Sequence, residues 1–433
     1  MIILDRALEQ RAADGNPVRV AIVGAGYMAR GVAAHAHALT GMELIGISNR
    51  TVARAQDIFE ELGLGRVGEV ETSEEVEAAA SRATPVVTTD PFTLCRAKSI
   101  DVIIESTGEV EFGARVTIEA IRNRKHVVLV NAELDATVGP ILKAKADDAG
   151  VILTNTDGDE PGVTMNLLRY VRTIGMRPVL VGNIKGFIGP HRNPDTQKAF
   201  ADSVGQGPKM ITSFADGTKL SMEATIVANA AGLRVALRGM NGHPCAHVKD
   251  VLSLWDPDEL LRGEGIVDYV LGAEPGSGAF VVGHCDDPLP QQYLKYFKMG
   301  DGPFYVFYTP WHLPQAEAPL TAARAALFDD ASVTPLGAPR CEVVTVAKRD
   351  LRAGEVLDGI GGFTCYGTID NVVVSRRERL LPMGLSQGCT LVADVPIDQP
   401  ITYDDVRIPG GRLVDRLRGE QDELFTAERL ELT

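Results

Sequence analysis

Over its first third the chain repeats two hydrophobic patterns in turn. Short apolar runs have the length and β-branched content of buried strands: Val18–Val23, Met42–Ser48, Pro85–Thr88, Val102–Glu105, His126–Val130 and Val151–Thr154. Between them lie segments with helical spacing: Ala29–Leu39, Ala53–Leu62, Ser73–Ala83, Ala114–Arg122 and Val138–Asp147. This alternation predicts a parallel sheet wound with helices on both faces, preceded by a short helix within residues 1–16. From about residue 156 the pattern loosens. A turn cluster, Thr156–Val163, leads to a helix over Thr164–Thr173, a strand-like run over Pro178–Phe187 and a polar stretch, His191–Lys209. A further helix is expected over Gly217–Ala231, then a Gly-, Pro- and Asp-rich stretch and a strand over Phe304–Tyr308. Pro335–Pro339 reads as a linker, and from Glu342–Ala347 onward β-branched residues and glycine dominate.

The first strand runs straight into Gly24-Ala25-Gly26-Tyr27-Met28-Ala29, a G-x-G-x-x-A turn between strand and helix. Gly24 permits the tight turn, Gly26 lets backbone approach a pyrophosphate, and Ala29 allows close helix–strand packing. The helix N-terminus at Tyr27 and Met28 offers free N–H groups to phosphate. The second strand ends in Ser48-Asn49-Arg50-Thr51, without the carboxylate that holds a ribose 2′-hydroxyl. Asn49 and Arg50 there suit a 2′-phosphate, so NADPH is the expected cofactor. Ser106, Thr107 and Gly108 end one strand, and Asn131 and Ala132 follow another, so both groups are placed to line the nicotinamide half. The same residues also suit ordinary helix capping.

The expected fold class is therefore α/β. It comprises a Rossmann-type doubly wound sheet over residues 1–155, a central α+β catalytic and oligomerisation domain over 156–335, and a small, mostly β domain over 340–433.

Composition narrows the function. The 433 residues are 45% hydrophobic and 23% charged, which is globular. A net charge of −15 argues against nucleic acid or an acidic membrane as partner. Six widely spaced cysteines, with no CxxC pair, suit reduced thiols in the cytoplasm. No apolar stretch is long enough to span a bilayer, and the N-terminus lacks a signal-peptide core.

Carboxylates cluster after the later strands: Glu133, Asp135, Asp157, Asp159 and Glu160. Oxygen-only ligands of this kind suit Mg²⁺ or Mn²⁺, with Glu133, Asp157, Asp159 and Glu160 as the expected set, although Asp-Gly-Asp is also ordinary turn chemistry. The cation candidates are Lys185, His191, Arg192, Lys198 and Lys219. Lys185 stands out because it lies in an apolar strand-like run. Asp216, Lys219 and Glu223 share a helical face, either as catalytic groups beside Lys185 or as an exposed salt-bridged surface. His243 and His247 are four apart, but Pro244 favours a turn over a zinc site.

The glycine turn, DVIIESTG at Asp101–Gly108 and KHVVLVNAE at Lys125–Glu133 make the first 155 residues resemble homoserine dehydrogenase. In that family the strand ends in Asn-Lys and the lysine is catalytic. Here Ala132 and Glu133 follow Asn131, which argues against homoserine as substrate. VTVAKRDLRAGEVL at Val344–Leu357 and PITYDDV at Pro400–Val406 resemble a SAF domain. The combination resembles a group that includes deoxyxylulose phosphate reductoisomerase-like enzymes. That resemblance implies an NADPH-dependent homodimer that isomerises and reduces 1-deoxy-D-xylulose 5-phosphate, a step in isoprenoid precursor synthesis, with a divalent metal. The other readings are a dehydrogenase for another small hydroxy acid or sugar acid, and a protein that senses a dinucleotide without chemistry.

Overall fold

A computed structural model describes residues 3–431, with side chains described to residue 426. The chain packs into two units. The first comprises residues 3–159, 313–334 and 413–431, and the second residues 160–312 and 335–412. The order of segments along the chain is thus not the order of the units. Two helical segments, one from the expected central domain and one from the expected C-terminal domain, return to complete the first unit.

The first unit is built on a seven-stranded parallel sheet. Its strands are β1 (Val18–Val23), β2 (Met42–Ser48), β3 (Gly68–Glu69), β4 (Val86–Thr88), β5 (Val102–Glu105), β6 (His126–Leu129) and β7 (Leu153–Asn155), in the order β3-β4-β2-β1-β5-β6-β7. This is the doubly wound arrangement that the alternation predicts. Strand order reverses beside β1, and in such sheets the ligand crevice opens at the carboxyl ends there. Val20, Ile22, Ile47, Ile104 and Val128 form the strand side of a core that Val32, Ile58 and Phe59 close from the helices. The exposed two-residue β3 and the helix Pro91–Arg96 carry too little periodicity to be read in advance. Helix Ala132–Ala149 is longer than its pattern suggests, because two helical stretches run on from one another across a kink at non-helical Val138, just before Pro140.

The returning segments are tied in by buried polar bonds. Asp157 accepts from Arg324 Nη1 at 2.5 Å, Ser332 Oγ at 2.6 Å and Thr321 Oγ1 at 3.2 Å. The last helix, Leu413–Glu431, packs on helices Val110–Arg122 and Ala132–Ala149. Glu111 accepts the N–H groups of Leu413 and Val414 at its start.

The second unit has a five-stranded mixed sheet of β8 (Arg177–Lys185), β9 (His243–Pro244), β10 (Ile266–Leu271), β11 (Ala279–His284) and β12 (Phe304–Thr309). The order is β12-β11-β8-β10-β9, with β10 parallel and β11 antiparallel to central β8. Phe280, Ile184, Val270 and Trp255 lie in its core. Helices Glu160–Thr173 and Thr218–Ala231 pack against this sheet and against each other. All fourteen residues of Thr218–Ala231 are buried. The same helix packs on the antiparallel pair β13 (Cys341–Ala347) and β14 (Cys365–Asn371), the start of the small β region that ends with β15 (Thr390–Leu391) and β16 (Val406–Arg407). Among the described residues, no helix is long and apolar enough to cross a membrane.

Candidate active site

The crevice of the first unit is shaped by backbone. Gly24 has φ +112°, and a Cβ there would lie 2.8 Å from the Ser106 carbonyl oxygen, so only glycine lets β1 turn against the end of β5. Gly26 is exposed, with nothing within 4 Å of where its Cβ would stand. It caps helix Tyr27–Ala38 with no side-chain bond, leaving the first N–H groups to a ligand. Tyr27 is exposed and Met28 half-buried at that N-terminus. At the end of β2, Asn49 donates to the Thr51 carbonyl at 2.8 Å, while Arg50 is exposed. Ser106, Thr107 and Gly108 are half-buried at the end of β5.

Beneath them lies Glu105, which sequence reasoning passed over. It is fully buried and accepts from the Thr107 N–H at 2.9 Å, from the Thr107 hydroxyl and from Asn131 Nδ2 at 2.8 Å. Burial pushes its carboxyl up, and these donors hold it back, to about 7. Asn131 also caps the next helix through the Leu134 N–H at 3.1 Å. Its side chain is buried and spent on Glu105 and the cap, so the capping reading describes it and a side-chain contact to cofactor does not. Ala132 is wholly buried.

The second unit gathers a separate constellation. Lys185 ends β8, and its Nζ donates to Glu160 Oε1 at 2.5 Å, Glu160 Oε2 at 2.6 Å and Glu223 Oε2 at 3.2 Å. Asn183, two residues earlier on the same strand face, donates to Glu223 at 3.3 Å. Glu160 opens one helix, and Glu223 sits in the second turn of the buried one, a turn beyond Lys219. Burial alone would lower the Lys185 pKa, but the negative charges of Glu160 and Glu223 outweigh it and hold the ammonium above its ordinary range. Burial and the adjacent Glu160 charge push the Glu223 carboxyl up to about 8, with the Lys185 and Lys219 charges opposing. An ammonium held this closely beside a carboxyl with a raised pKa can pass a proton to a substrate oxygen. Of the sequence-predicted residues, the fold thus brings together Lys185, Lys219, Glu160 and Glu223. Asn183 was missed because an asparagine in an apolar strand carries no motif.

Other expectations need correction. Glu133 and Asp157 are not part of the carboxylate group. Asp157 is occupied by Arg324, Ser332 and Thr321 as an internal tie. Glu133 is buried in helix Ala132–Ala149, and the one group of carboxylates close enough to share an ion among the described residues includes Glu160 and Glu223 but not Glu133. Asp159 is buried and directly precedes Glu160 in the chain. Asp135 is buried against Asn155. Asp216 is no open catalytic acid: it forms a buried ion pair with Lys348 at 2.8 Å. His191 and Lys198 are exposed and paired with Asp398 and Asp202, and exposed Arg192 lies 5.1 Å from the Phe187 ring centroid. His243 lies 4.8 Å from Trp255, ring to ring, and His247 caps a short 3₁₀ helix, which is turn chemistry.

Comparison with known proteins bears on both units. Residues 158–318 match the family model described as oxidoreductase DRL, catalytic domain. Residues 7–90 match that of shikimate / quinate 5-dehydrogenase. Both are oxidoreductases. With the glycine crevice, these matches support an NAD(P)-dependent oxidoreductase. Neither description names an isomerisation. No curated protein sequence matches the chain. Among solved structures, the chain is similar to a myo-inositol dehydrogenase from Lactobacillus casei in complex with NAD(H) and myo-inositol, at 13% identity and TM-score 0.34, covering 62% of this chain and 72% of that one. It is also similar to a myo-inositol dehydrogenase from Corynebacterium glutamicum, at 11% identity and TM-score 0.37, with the same coverage of 62% and 72%.

Proposed function

We propose that this oxidoreductase prefers NADPH and reduces a small, phosphorylated hydroxy-carbonyl compound, with Lys185 as the proton donor to the substrate oxygen. The observation that carries the reading is the lysine ammonium clasped by two carboxylates, Glu160 and Glu223. NADPH, when bound, supplies the hydride to the carbonyl carbon. Gly24, Gly26 and the helix start at Tyr27 hold its pyrophosphate, and Arg50 pairs with the 2′-phosphate. Lys185 hydrogen-bonds the carbonyl oxygen and gives it a proton as negative charge develops. Glu223, protonated near neutral pH, returns a proton to the lysine. Lys219, on the same helix face as Glu223, offers positive charge to an anionic substrate.

The finer reading is 1-deoxy-D-xylulose 5-phosphate reductoisomerase, giving 2-C-methyl-D-erythritol 4-phosphate. It rests on the sequence resemblance and on the carboxylates. Glu160 and Glu223 present oxygens within 4.8 Å of each other, a hard-ligand donor set of the kind that suits Mg²⁺ or Mn²⁺. Those two residues would hold the ion, with Asp159 beside Glu160 in the chain, and the ion would take over contacts that Lys185 now makes. It would supply Lewis-acid polarisation of vicinal oxygens. One observation favours the plainer alternative, a dehydrogenase of a small hydroxy acid or sugar acid without isomerisation: Lys185 already neutralises the carboxylates. The test is NADPH oxidation by the purified chain with deoxyxylulose phosphate, aspartate semialdehyde and a set of sugar acids, with and without Mn²⁺, followed by product analysis. Methylerythritol phosphate formed only with metal supports the finer reading. Turnover of a sugar acid in chelator supports the plainer one. Binding of NADPH without turnover of any compound refutes both and leaves a sensor.

A further inference from the structure

Both ends of the buried helix that carries Lys219 and Glu223 are fastened to the small β region of the same unit. At the C-terminal end, Asn229 accepts the N–H groups of Arg340 and Cys341 at 2.7 and 3.0 Å and donates to the Cys341 carbonyl at 3.2 Å. At the N-terminal end, the Gly367 N–H donates to Thr218 Oγ1 at 2.8 Å. Beside it, Lys348 Nζ donates to Asp216 Oδ2 at 2.8 Å and to the Gly362 carbonyl at 2.7 Å. The other oxygen of Asp216 accepts the Thr218 N–H at 2.9 Å. The Lys348 and Asp216 side chains are only 3% and 0% exposed, so bulk solvent screens the pair little.

A buried ion pair costs desolvation, and apolar residues of the same volume often serve stability as well. Its presence here at the entry to this helix, three residues before Lys219, is therefore a reason to look for a role beyond holding the fold. We propose that Lys348 is a positioning residue of the active site: through Asp216 it fixes the first turn of the helix and so the setting of Lys219 and Glu223. The inference rests on the proposed function, because it assigns Lys219 and Glu223 to the substrate. It makes the β region part of the catalytic apparatus without touching substrate itself.

The test compares the full chain with Lys348→Met, Lys348→Arg and Asp216→Asn. Asp216→Asn is nearly isosteric, keeps an acceptor for Thr218, and carries the test if Lys348→Met does not fold. Two measurements are made. The first is kcat and KM across pH with the substrate found above. The second needs no turnover: competitive acetylation of lysines across pH, read at Lys219 by mass spectrometry. In Lys348→Met and Asp216→Asn, kcat is expected to fall about tenfold or more, because small displacements of a reacting group are costly. NADPH affinity is expected to change by less than about twofold, and the midpoint of Lys219 labelling to move by about half a pH unit or more. Lys348→Arg is expected to restore the pH profile and the labelling midpoint, which a purely structural role would not require. Folded variants with the parental labelling midpoint and, where the parent is active, the parental kcat would overturn the proposal. A parent that turns over no substrate refutes the proposed function, while the labelling still decides this inference.

Discussion

Replacing Lys185 with methionine removes the counter-charge of two buried carboxylates while nearly preserving volume. The Lys185 Nζ lies 3.2 Å from Glu223 Oε2. At an effective dielectric of about 20, two unit charges at that separation attract by about 5 kcal/mol. Losing that attraction corresponds to about three pKa units or more of further upward shift for Glu223. Glu223 already lies near 8 because burial and Glu160 push it up. A carboxyl whose folded pKa lies above its unfolded value stabilises the fold at low pH and loses that contribution as pH rises towards the folded value. In the parent the loss ends near pH 8. In the variant it continues upward, because Glu223 holds its proton longer. The stability difference between parent and Lys185→Met should therefore be constant between pH 5 and pH 7, where Glu223 is protonated in both, and grow by about 1.4 kcal/mol per pH unit above pH 8. Urea unfolding followed by tryptophan fluorescence measures it cleanly, because both tryptophans, Trp255 and Trp311, belong to the second unit. Activity should fall at least about a hundredfold at every pH. A stability difference that is equal at pH 5 and pH 9 would refute the account of Lys185 as counter-charge, and near-parental turnover would refute it as proton donor.

Arg50→Ala should weaken NADPH binding about tenfold and leave NADH binding within about twofold, measured by fluorescence titration; equal losses for both would remove the 2′-phosphate role. Glu105→Gln should flatten the pH dependence of dinucleotide affinity between pH 5 and 8. In the parent, Glu105 titrates near 7 under Thr107, and its ionisation changes what Thr107 can donate to; an unchanged pH profile counts against this. Asp157→Asn should cost about 3 kcal/mol in thermal unfolding followed by circular dichroism, the low end for a broken buried pair because Arg324 keeps Asp330. It should leave the metal response of any activity intact, and loss of that response would return Asp157 to the ligand set.

The parts of this molecule that were legible in the sequence are those whose causes are local. A glycine turn announces itself because Gly24 must adopt a positive φ against the end of β5. The strands of the parallel sheet do so because both faces are buried. Lys185 could be singled out because a charge in an apolar strand needs a partner, and Glu223 could be placed on the helix face of Lys219 by spacing. What spacing could not supply is which distant group completes each pair. Lys185 meets Glu160 and Glu223 across 25 and 38 residues, Asp216 meets Lys348 across 132, and Asp157 meets Arg324 across 167. Carboxylates near one another in sequence therefore looked like one metal set, whereas folding sends Asp157 to an arginine and brings in Glu223. The expected three-part division missed the two helical segments that return to the first unit for the same reason.

That return has a consequence for how the protein is made. Residues 3–159 emerge from the ribosome before the rest of their unit, while that unit still lacks the helix Pro314–Phe328, which ties down Asp157, and the helix Leu413–Glu431, which closes over Glu111 and Ile141. The whole second unit is synthesised while the first stands open, with the flank of its sheet helices uncovered. Domains that fold strictly in turn during synthesis do not face this interval. Here the unit with the glycine crevice is finished after the other, and a chain stopped anywhere before residue 413 leaves it without the helix that covers Glu111 and Ile141.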